Sequence, residues 1–292
     1  MPQVIFFIML SWPPNEYCSH ITGIAAKRVC MNLLNSNFSL EKYCERIAYC
    51  GPLSPDINCV NQLIRHQIYN VPFENLDVLT GKIVSLEPAD IVEKILVRRR
   101  GGYCYEVNGL FAMALHALKI PYSIALARPL FYPERRARTH MVIIAEVEGT
   151  RWLCDLGFGS FGPRQAVNLR QSLQEFKQDH DRFQLSFDNS IYRLSAWLED
   201  GWQRQYEFTL EPQEWVDIIP ANYFNSTHPN SIFVQKLLVM MPNATGKTIL
   251  FGDQLKIIHN GSTQISTVTL DQQKQILKDV FGLHNFTGER IK

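Results

Sequence analysis

The sequence predicts an α+β protein in which a helical region precedes an antiparallel sheet. Apolar residues recur at helical spacing to about residue 118, and from Pro121 onward they alternate with a period of two. Two hairpin turns, Gly252-Asp253 and Asn260-Gly261, then precede a last helical segment, Asp271 to Phe281, that ends at Gly282. The 292 residues are enough for two or three small domains.

Four helical segments are predicted in the first part of the chain. They are SLEKYCERIAYCG with Ser39 as N-cap, DINCVNQLIRHQIYN, EPADIVEKILVRR with Pro88 in its first turn, and Cys104 to Leu118. The period-two segments that follow are YSIALAR, HMVIIAEVE, RWLCDLG, RFQLSF, IYRLSAWL and QYEFTL. We therefore expect a helical domain over residues 36–118, an antiparallel sheet or small barrel over 119–212, and a third region over 213–292.

Residues 1–35 are expected to lie outside the folded domain, either as a natural extension or as the result of a start codon assigned too early. Their apolar run VIFFIMLSW is too short to span a bilayer. No Lys or Arg precedes the run and no clear small-residue cleavage site follows it, which argues against a signal peptide. The folded part is predicted to begin near Ser36.

Composition argues against several classes of function. The formal net charge of +1 gives no bulk electrostatic reason to expect nucleic-acid or membrane binding. The seven cysteines are odd in number and irregularly spaced, without a Cys-x-x-Cys pair, so free thiols in a reducing cytoplasm are expected. MPNATGKT ends like a phosphate-binding loop, but Met241 or Pro242 stands where the first glycine is required, so nucleotide binding is not predicted.

Cys104 is the candidate nucleophile. It follows the run RRRGGY, and an apolar stripe from Leu110 to Leu118 extrapolates back to place it in the first turn of a helix. The partial positive charge at a helix N-terminus favours a thiolate. Gly101 and Gly102 allow a sharp turn and the close approach of another molecule. A cysteine taken alone is more often a small buried hydrophobe, so the hypothesis also needs a base and an orienting group.

His140 and Asp155 can supply those two groups. A two-residue turn at Glu148-Gly149 would pair the flanking strands so that Val142 faces Asp155. His140 and Asp155 then lie diagonally on one face, about 7–8 Å apart at Cα, a gap that their side chains can close with a hydrogen bond. Cys154 points to the other face.

Simpler interpretations remain open for each of these residues. His140 can be a strand-end histidine satisfied by a neighbour, and Asp155 can be a turn residue. Metal ligation by Cys104, His140 and Asp155 lacks a paired-ligand spacing such as His-x-x-x-His, so no metal is predicted. The run Arg98–Arg100 is interpreted as solvated surface, with pairing to Glu74 as the alternative.

The combination of these segments resembles the arylamine N-acetyltransferase family. The resemblance is carried by PFENLD (72–77), RRGGYCYEVNGLF (99–111), RTHM (138–141) and CDLGFG (154–159), with THPNSIF (227–233) and the terminal VFGL similar as well. It covers the chain from about residue 36 to the end. Three separated segments each carry one member of a Cys-His-Asp set in the family's order.

This resemblance implies a helical first domain, a β-barrel second domain and an α/β lid around a cysteine-protease-like catalytic core. The implied activity is transfer of an acetyl group from acetyl-coenzyme A to an arylamine or arylhydrazine through a cysteine thioester. Acetyl-coenzyme A is then a co-substrate, and the partners are small aromatic amines or hydrazines. The resemblance does not fix the physiological acceptor, the acyl-chain preference or the oligomeric state.

The resemblance also implies roles for particular residues. Cys104 would be the acetylated nucleophile, His140 its base and Asp155 the orienting carboxylate. The substrate pocket would include Phe73, Tyr103, Thr139 and Phe158. Coenzyme contacts would come from Arg136, Ala137, Gly159, Phe224 and Asn230.

Three other functions remain possible for this arrangement. A thiol hydrolase or peptidase would use the same Cys-His-Asp set, and so would an amide synthase, since one relative in the family closes macrolactams. A binding module without catalysis is the third, and the occupation of every triad position argues against it.

Overall fold

The structure, a computed structural model, describes residues 37–284 except 160, 172–173 and 199–200. The predicted extension 1–35 and the predicted start of the folded part at Ser36 lie outside the described residues. None of the helices in the described part is long and apolar enough to cross a membrane.

The first part of the chain is helical, as predicted. Its helices are α1 (Leu40–Arg46), α2 (Ile57–Asn70), α3 (Leu76–Leu79), α4 (Pro88–Val92), which continues as a π-helical turn (Glu93–Val97), and α5 (Cys104–Ala117). Ser39 caps α1 by accepting a hydrogen bond from the Lys42 N–H at 3.2 Å, as its sequence position predicts.

A buried relay of hydrogen bonds joins three of these helices. The Tyr43 hydroxyl of α1 donates to Gln67 Oε1 of α2 at 2.7 Å, and Gln67 Nε2 donates to the Val107 carbonyl of α5 at 2.8 Å. Because both side chains are buried, each bond satisfies a polar group that would otherwise destabilise the core. The relay fixes the position of α5, the helix that begins with Cys104.

The middle of the chain forms an antiparallel sheet of eight strands within the described residues. The strands are β2 (Tyr122–Pro129), β3 (His140–Val147), β4 (Thr150–Cys154), β5 (Val167–Asn168), β6 (Glu175–Gln178), β7 (Asp181–Asp188), β8 (Ile191–Leu198) and β9 (Gly201–Phe208). Their order is β5-β4-β3-β2-β9-β8-β7-β6. The edge strands β5 and β6 are not neighbours, so the predicted barrel is an open, curled half-barrel.

The turn between β3 and β4 has the predicted length and register. Val147 pairs with Thr150 and Ile143 with Cys154. Both turn residues have positive φ, 52° at Glu148 and 69° at Gly149, the type I′ geometry that matches the twist of a hairpin.

The last part of the chain builds a second sheet. It contains β10 (Leu238–Asn243), β11 (Gly246–Phe251), β12 (Gln254–His259) and β13 (Ser262–Thr267), and its fifth described strand is β1 (Phe73–Glu74) from the helical part. Hairpin turns at residues 252–253 and 260–261 are confirmed by the pairs Phe251–Gln254 and His259–Ser262. The GKT run lies where β10 turns into β11, in a hairpin, which agrees with the rejection of a phosphate-binding loop.

The helix that follows this second sheet covers its outer face. The chain passes through a 3₁₀ turn (Trp215–Ile218), α6 (Ile219–Thr227) and α7 (Ile232–Gln235) before the sheet, and α8 (Leu270–Asp279) follows it. Leu277 of α8 packs with Val239 and Leu250 on the outer face. The opposite face, with Leu238, is directed toward the cavity described next.

Candidate active site

A cavity of about 650 Å³ lies between the two sheets and the start of α5. Cys104 and His140 both line it. Much of the remaining wall is apolar and comes from the inner face of the second sheet, the segment after β2 and the residues after β4: Phe73, Pro129, Phe131, Phe158, Phe161, Leu238, Ile249 and Phe251. A large apolar cavity with a few polar groups is the usual form of a small-molecule site.

Cys104 is the first residue of α5 and is 3% exposed. The helix begins there because Glu106, two residues further on, accepts a hydrogen bond from the Tyr103 N–H through Oε2 at 3.0 Å. Burial raises the pKa of the Cys104 thiol, although the backbone N–H groups of Met141 and Tyr105 favour the thiolate. Burial has the larger effect, so the net shift of this pKa is upward.

A buried cluster of charges lies next to the first turn of the Cys104 helix. Lys94 Nζ donates to Glu106 Oε1 at 2.7 Å and is 2.7 Å from Asp77 Oδ2. Burial raises the pKa of Glu106 to about 6, although Lys94 opposes the shift. Burial lowers the pKa of Lys94, but the carboxylates of Glu106, Glu74 and Asp77 outweigh it and the net shift is upward. The cluster therefore holds the carboxylate that caps the Cys104 helix.

The arginine run divides between surface and interior. Arg98 and Arg99 are exposed, as expected for a solvated run. Arg100 is not: its Nη2 and Nε donate to Glu74 Oε1 at 2.7 and 2.9 Å. The surface interpretation is thus wrong for Arg100, because the buried Glu74 carboxylate needs a cation.

Gly101 serves the chain's own packing rather than the approach of another molecule. A Cβ at this position would lie 2.0 Å from the Pro72 carbonyl oxygen, so only glycine allows the segment before Cys104 to pass beside β1. Gly157 has the same role on the other side, because a Cβ there would lie 2.6 Å from the Cys104 Cα. Gly101 thus brings the segment before Cys104 beside β1, and Gly157 brings the residues after β4 against Cys104.

His140 and Asp155 form the predicted pair. Asp155 Oδ2 is 2.8 Å from His140 Nε2, and both side chains are buried. Burial raises the pKa of Asp155, but the charge of His140, the hydrogen bond with it and the Gly157 N–H outweigh burial, so the net shift is downward. The carboxylate is therefore ionised and positioned to orient the imidazole.

Two residues not predicted from the sequence complete this arrangement. Asn108 lies one turn after Cys104, donates to the Met141 carbonyl at 2.8 Å and accepts from the Leu156 N–H at 2.9 Å. The buried Tyr206 ring is 5.3 Å from the His140 ring. Its hydroxyl is directed at the Asp155 carboxylate outside strict hydrogen-bond geometry and still favours the ionised form.

Asn108 could have been found from the sequence, whereas Tyr206 could not. A lone amide within the apolar run VNGLFAMAL is a buried polar side chain that needs partners. Tyr206 lies on β9, far from the other site residues in sequence, and β-strand aromatics are usually core.

The structure places most of the other predicted pocket residues in the cavity wall. Those that line it are Phe73, Thr139, Phe158, Arg136, Gly159 and Phe224. Phe158 also packs against His140, since its ring centroid is 5.1 Å from that of the imidazole.

Three predicted residues lie outside the cavity wall as described. Tyr103 is fully buried, and its hydroxyl bonds to Asn222 and lies 3.1 Å from Ser226 Oγ, so it packs α5 against α6 rather than facing the cavity. Ala137 is not among the lining residues. Asn230 contributes its backbone, because its carbonyl accepts a hydrogen bond from Arg136 Nη1 at 3.2 Å.

Within the described part of the chain, no group of three or more His, Cys, Asp or Glu side chains is arranged to hold a metal ion. The site is thus best characterised by its cavity, its buried thiol and its hydrogen-bonded imidazole and carboxylate. A helix that starts with a cysteine and packs against an antiparallel half-barrel carrying His and Asp is the cysteine-protease-like fold.

Comparison with known proteins defines the family within this fold. Residues 56–287 match the family model described as N-acetyltransferase. The arylamine N-acetyltransferase / N-hydroxyarylamine O-acetyltransferase of Salmonella typhimurium is 30% identical over 270 residues, covering 86% of this chain and 93% of that protein. The chain belongs to the arylamine N-acetyltransferase family.

Solved structures agree with this assignment. The arylamine N-acetyltransferase of Mycobacterium marinum in complex with CoA superposes with a TM-score of 0.80 at 30% identity, covering 84% of this chain and 93% of that one. The Salmonella typhimurium structure also gives a TM-score of 0.80, at 28% identity, with 87% and 94% covered.

Proposed function

We propose that this protein transfers an acetyl group from acetyl-coenzyme A to an aromatic amine or hydrazine through a thioester on Cys104. The observation that carries the proposal is that Cys104 and His140 line one apolar cavity and that His140 is hydrogen-bonded to the buried Asp155. Membership of the arylamine N-acetyltransferase family supports the choice of donor and acceptor.

The first half-reaction forms the acetyl-enzyme. Because burial disfavours the thiolate on its own, the Cys104 proton must pass to the imidazole of His140. His140 Nε2 is hydrogen-bonded to the Asp155 carboxylate, so Nδ1 is the nitrogen that takes the proton. The carboxylate stabilises the resulting imidazolium. The thiolate then attacks the thioester carbonyl, the carbon–sulfur bond to coenzyme A breaks, and the departing thiolate recovers a proton from the imidazolium.

The second half-reaction releases the product. The amine nitrogen attacks the acetyl carbonyl, His140 accepts its proton, and the bond to Cys104 Sγ breaks to give an amide and the original thiol. An aromatic amine is neutral at pH 7, so it binds against the apolar wall formed by Phe73 and Phe158 with little desolvation cost. An apolar wall also excludes the water that would hydrolyse the thioester.

The coenzyme is proposed to enter along the side of the cavity that carries Arg136. Arg136 and Lys256 bring positive charge to the wall, which suits the phosphates of coenzyme A. The Arg136 guanidinium lies 3.5 Å from the centroid of the Tyr132 ring, another residue of the cavity wall, and is held there by the attraction of the ring for a cation. Gly159 and Phe224 belong to the same wall.

We further propose that residues 36–118, 119–212 and 213–292 act as the helical, barrel and lid domains and that the protein is cytoplasmic. The first point is supported by the separate sheets, although β1 joins the helical region to the second sheet. The second is supported by the free thiols of the described cysteines: Cys44, Cys50, Cys59, Cys104 and Cys154.

A mass measurement tests the proposed function directly. The protein is incubated with acetyl-coenzyme A and weighed, and the expected result is one added acetyl group that is lost on Cys104→Ser substitution. Cys154→Ser is the matched control, because Cys154 is also buried but points away from His140. Discharge by an aromatic amine faster than by water supports the transferase, whereas the reverse order supports a thiol hydrolase.

Steady-state kinetics provide the second test. A covalent intermediate requires coenzyme A to leave before the acceptor reacts, which gives parallel double-reciprocal lines when both substrates are varied. Intersecting lines without any acetylated protein would reject the covalent mechanism and the role assigned to Cys104.

A further inference from the structure

Three consecutive residues, two in the turn between β6 and β7 and one at the start of β7, contact different parts of the molecule. Asp179 accepts a hydrogen bond from the Tyr69 hydroxyl of α2 at 2.6 Å and pairs with the Arg65 guanidinium of the same helix. His180 Nε2 is 3.0 Å from the Ala244 carbonyl, in the turn between β10 and β11. This turn therefore joins the helical region and the second sheet to the half-barrel.

The third of these residues, Asp181, is the first residue of β7 and joins two buried cations. Its Oδ2 lies 2.5 Å from Arg164 Nη2 and 3.0 Å from Lys247 Nζ. Arg164 belongs to the segment Phe161–Arg164 that leads away from the cavity, and its backbone N–H donates to Gln178 Oε1 at 2.7 Å. Lys247 lies on β11 and is 2% exposed.

Lys247 also contacts a residue of the cavity wall without lining the cavity itself. Its Nζ is 4.3 Å from the centroid of the Phe161 ring, and Phe161 lines the cavity whereas Lys247 does not. A cation over an aromatic face is attracted by the ring quadrupole, most strongly when both groups are desolvated. The orientation of this ring is therefore coupled to a charge outside the cavity.

Resting on the proposed acetyl transfer, we propose that Lys247 is a positioning residue for the acceptor cavity. Its ammonium, held by Asp181, fixes the Phe161 ring and thereby the shape of the wall in which the aromatic acceptor binds. Lys247 lies outside the triad, so its loss is expected to weaken acceptor binding while leaving the formation of the acetyl-enzyme intact. Lys247, the lysine of the GKT run, thus positions an aromatic ring of the cavity and does not bind phosphate.

The charge of Lys247 is sensitive to pH near neutrality. Burial lowers its pKa to about 8, Asp181 opposes the shift, and the charges of Arg164 and Lys256 add to it. The other charged or titratable groups around the turn are Asp179, His180, Arg65 and Tyr69. Because the ammonium is present below pH 8 and lost above it, its contact with Phe161 weakens as the pH rises through that value.

The experiment begins with the wild-type protein and acetyl-coenzyme A. Absence of acetylation would reject the proposed function itself, before Lys247 is considered. With acetylation established, kcat and the acceptor KM are measured for an aromatic amine whose conjugate acid titrates well below pH 7. Lys247→Met keeps the length of the side chain and removes its charge, whereas Lys247→Arg keeps the charge. Lys274→Met, on the exposed surface of α8, is the control.

Lys247→Met is expected to raise the acceptor KM by about fivefold or more, with the rate of acetyl-enzyme formation nearly unchanged. Lys247→Arg should restore most of the affinity, and Lys274→Met should match the wild type. In a Phe161→Leu background, Lys247→Met should add little, because its partner ring is already absent. An unchanged KM in Lys247→Met, or full additivity with Phe161→Leu, would overturn the proposal.

A measurement on the wild type covers the case in which Lys247→Met does not fold. Between pH 7 and pH 9.5 the wild-type acceptor KM should rise as Lys247 loses its proton, whereas the Lys247→Arg variant should show a flat profile because guanidinium keeps its charge. A wild-type profile that is flat across this range would contradict the proposal without any variant.

Discussion

His140 Nε2 and Asp155 Oδ2 are 2.8 Å apart in the interior, although 15 residues separate them along the chain. A tight hairpin creates this pair, and the pair reaches Cys104 because Gly157 allows the end of β4 to lie against the start of α5. The predictions below test what each part of this arrangement contributes.

Asp155→Asn should lose most activity and keep its fold. The amide cannot stabilise an imidazolium or hold the ring in the same tautomer, and the comparable change in the serine-protease triad reduces kcat by roughly 10⁴-fold. The measurement is acetylation of an aryl hydrazine, with far-UV circular dichroism to confirm folding. Asp188→Asn on the exposed end of β7 is the matched control. Near-wild-type turnover in Asp155→Asn would remove this carboxylate from the mechanism.

The same substitution should alter stability at acid pH. Asp155 has a pKa below its ordinary value, so its contribution is present above the unfolded-state pKa and is lost as the pH falls through the folded-state value. Asp155→Asn lacks this contribution at every pH. Urea unfolding should therefore show a smaller acid-induced loss of stability in the variant than in the wild type.

The reactivity of Cys104 should depend on His140. Burial alone raises the pKa of the thiol, so a thiolate near neutral pH requires the imidazole to hold the proton. Wild-type Cys104 should react with iodoacetamide faster than free cysteine at pH 6, and His140→Gln should move the reaction to strongly alkaline pH. Exposed Cys50 serves as an internal control for labelling. A wild-type rate no greater than that of free cysteine would disprove the activation.

Lys94→Met should strongly destabilise the protein near neutral pH. It leaves the carboxylates of Glu74, Asp77 and Glu106 with Arg100 as the remaining cation of the cluster, and removing one partner of a buried ion pair costs about 3–5 kcal/mol. The loss should be smaller at pH 5, because Glu106, with a pKa of about 6, is then protonated. Urea unfolding at pH 5 and pH 7.5 measures both values.

Lys278→Met on α8 is a suitable comparison for that experiment, since Lys278 is exposed and lies far from the cluster in sequence. Equal destabilisation of Lys94→Met at both pH values would show that Glu106 does not take up a proton in this range.

A chain beginning at Met31 should acetylate an aryl hydrazine as well as the full-length protein. Every motif that carries the resemblance lies after this residue, and residues 1–35 show no pattern that pairs with them. Specific activity per soluble milligram is the quantity to compare. Reduced turnover of well-folded protein would contradict the prediction, whereas reduced solubility with normal turnover would indicate that the extension covers apolar surface.

Local patterns were sufficient to predict much of the fold. The Ser39 cap, the start of a helix at Cys104 and the β3–β4 register were all predicted correctly, because each depends on residues only a few positions apart. The β3–β4 turn matters most, since its two-residue length fixes the parity that puts His140 and Asp155 on one face. The family resemblance then followed from three short motifs.

The tertiary structure alone decided how these local elements meet. β1 is too short for its pattern to be recognised, yet it joins the helical region to the second sheet. Arg100 looks like surface in the sequence and is paired inside, and Tyr103 stands beside the nucleophile in sequence but faces away from the cavity. The pKa of the Cys104 thiol is a further example. The sequence shows the helix N-terminus that favours a thiolate. Burial raises the pKa more strongly, and it depends on residues that only the fold brings together.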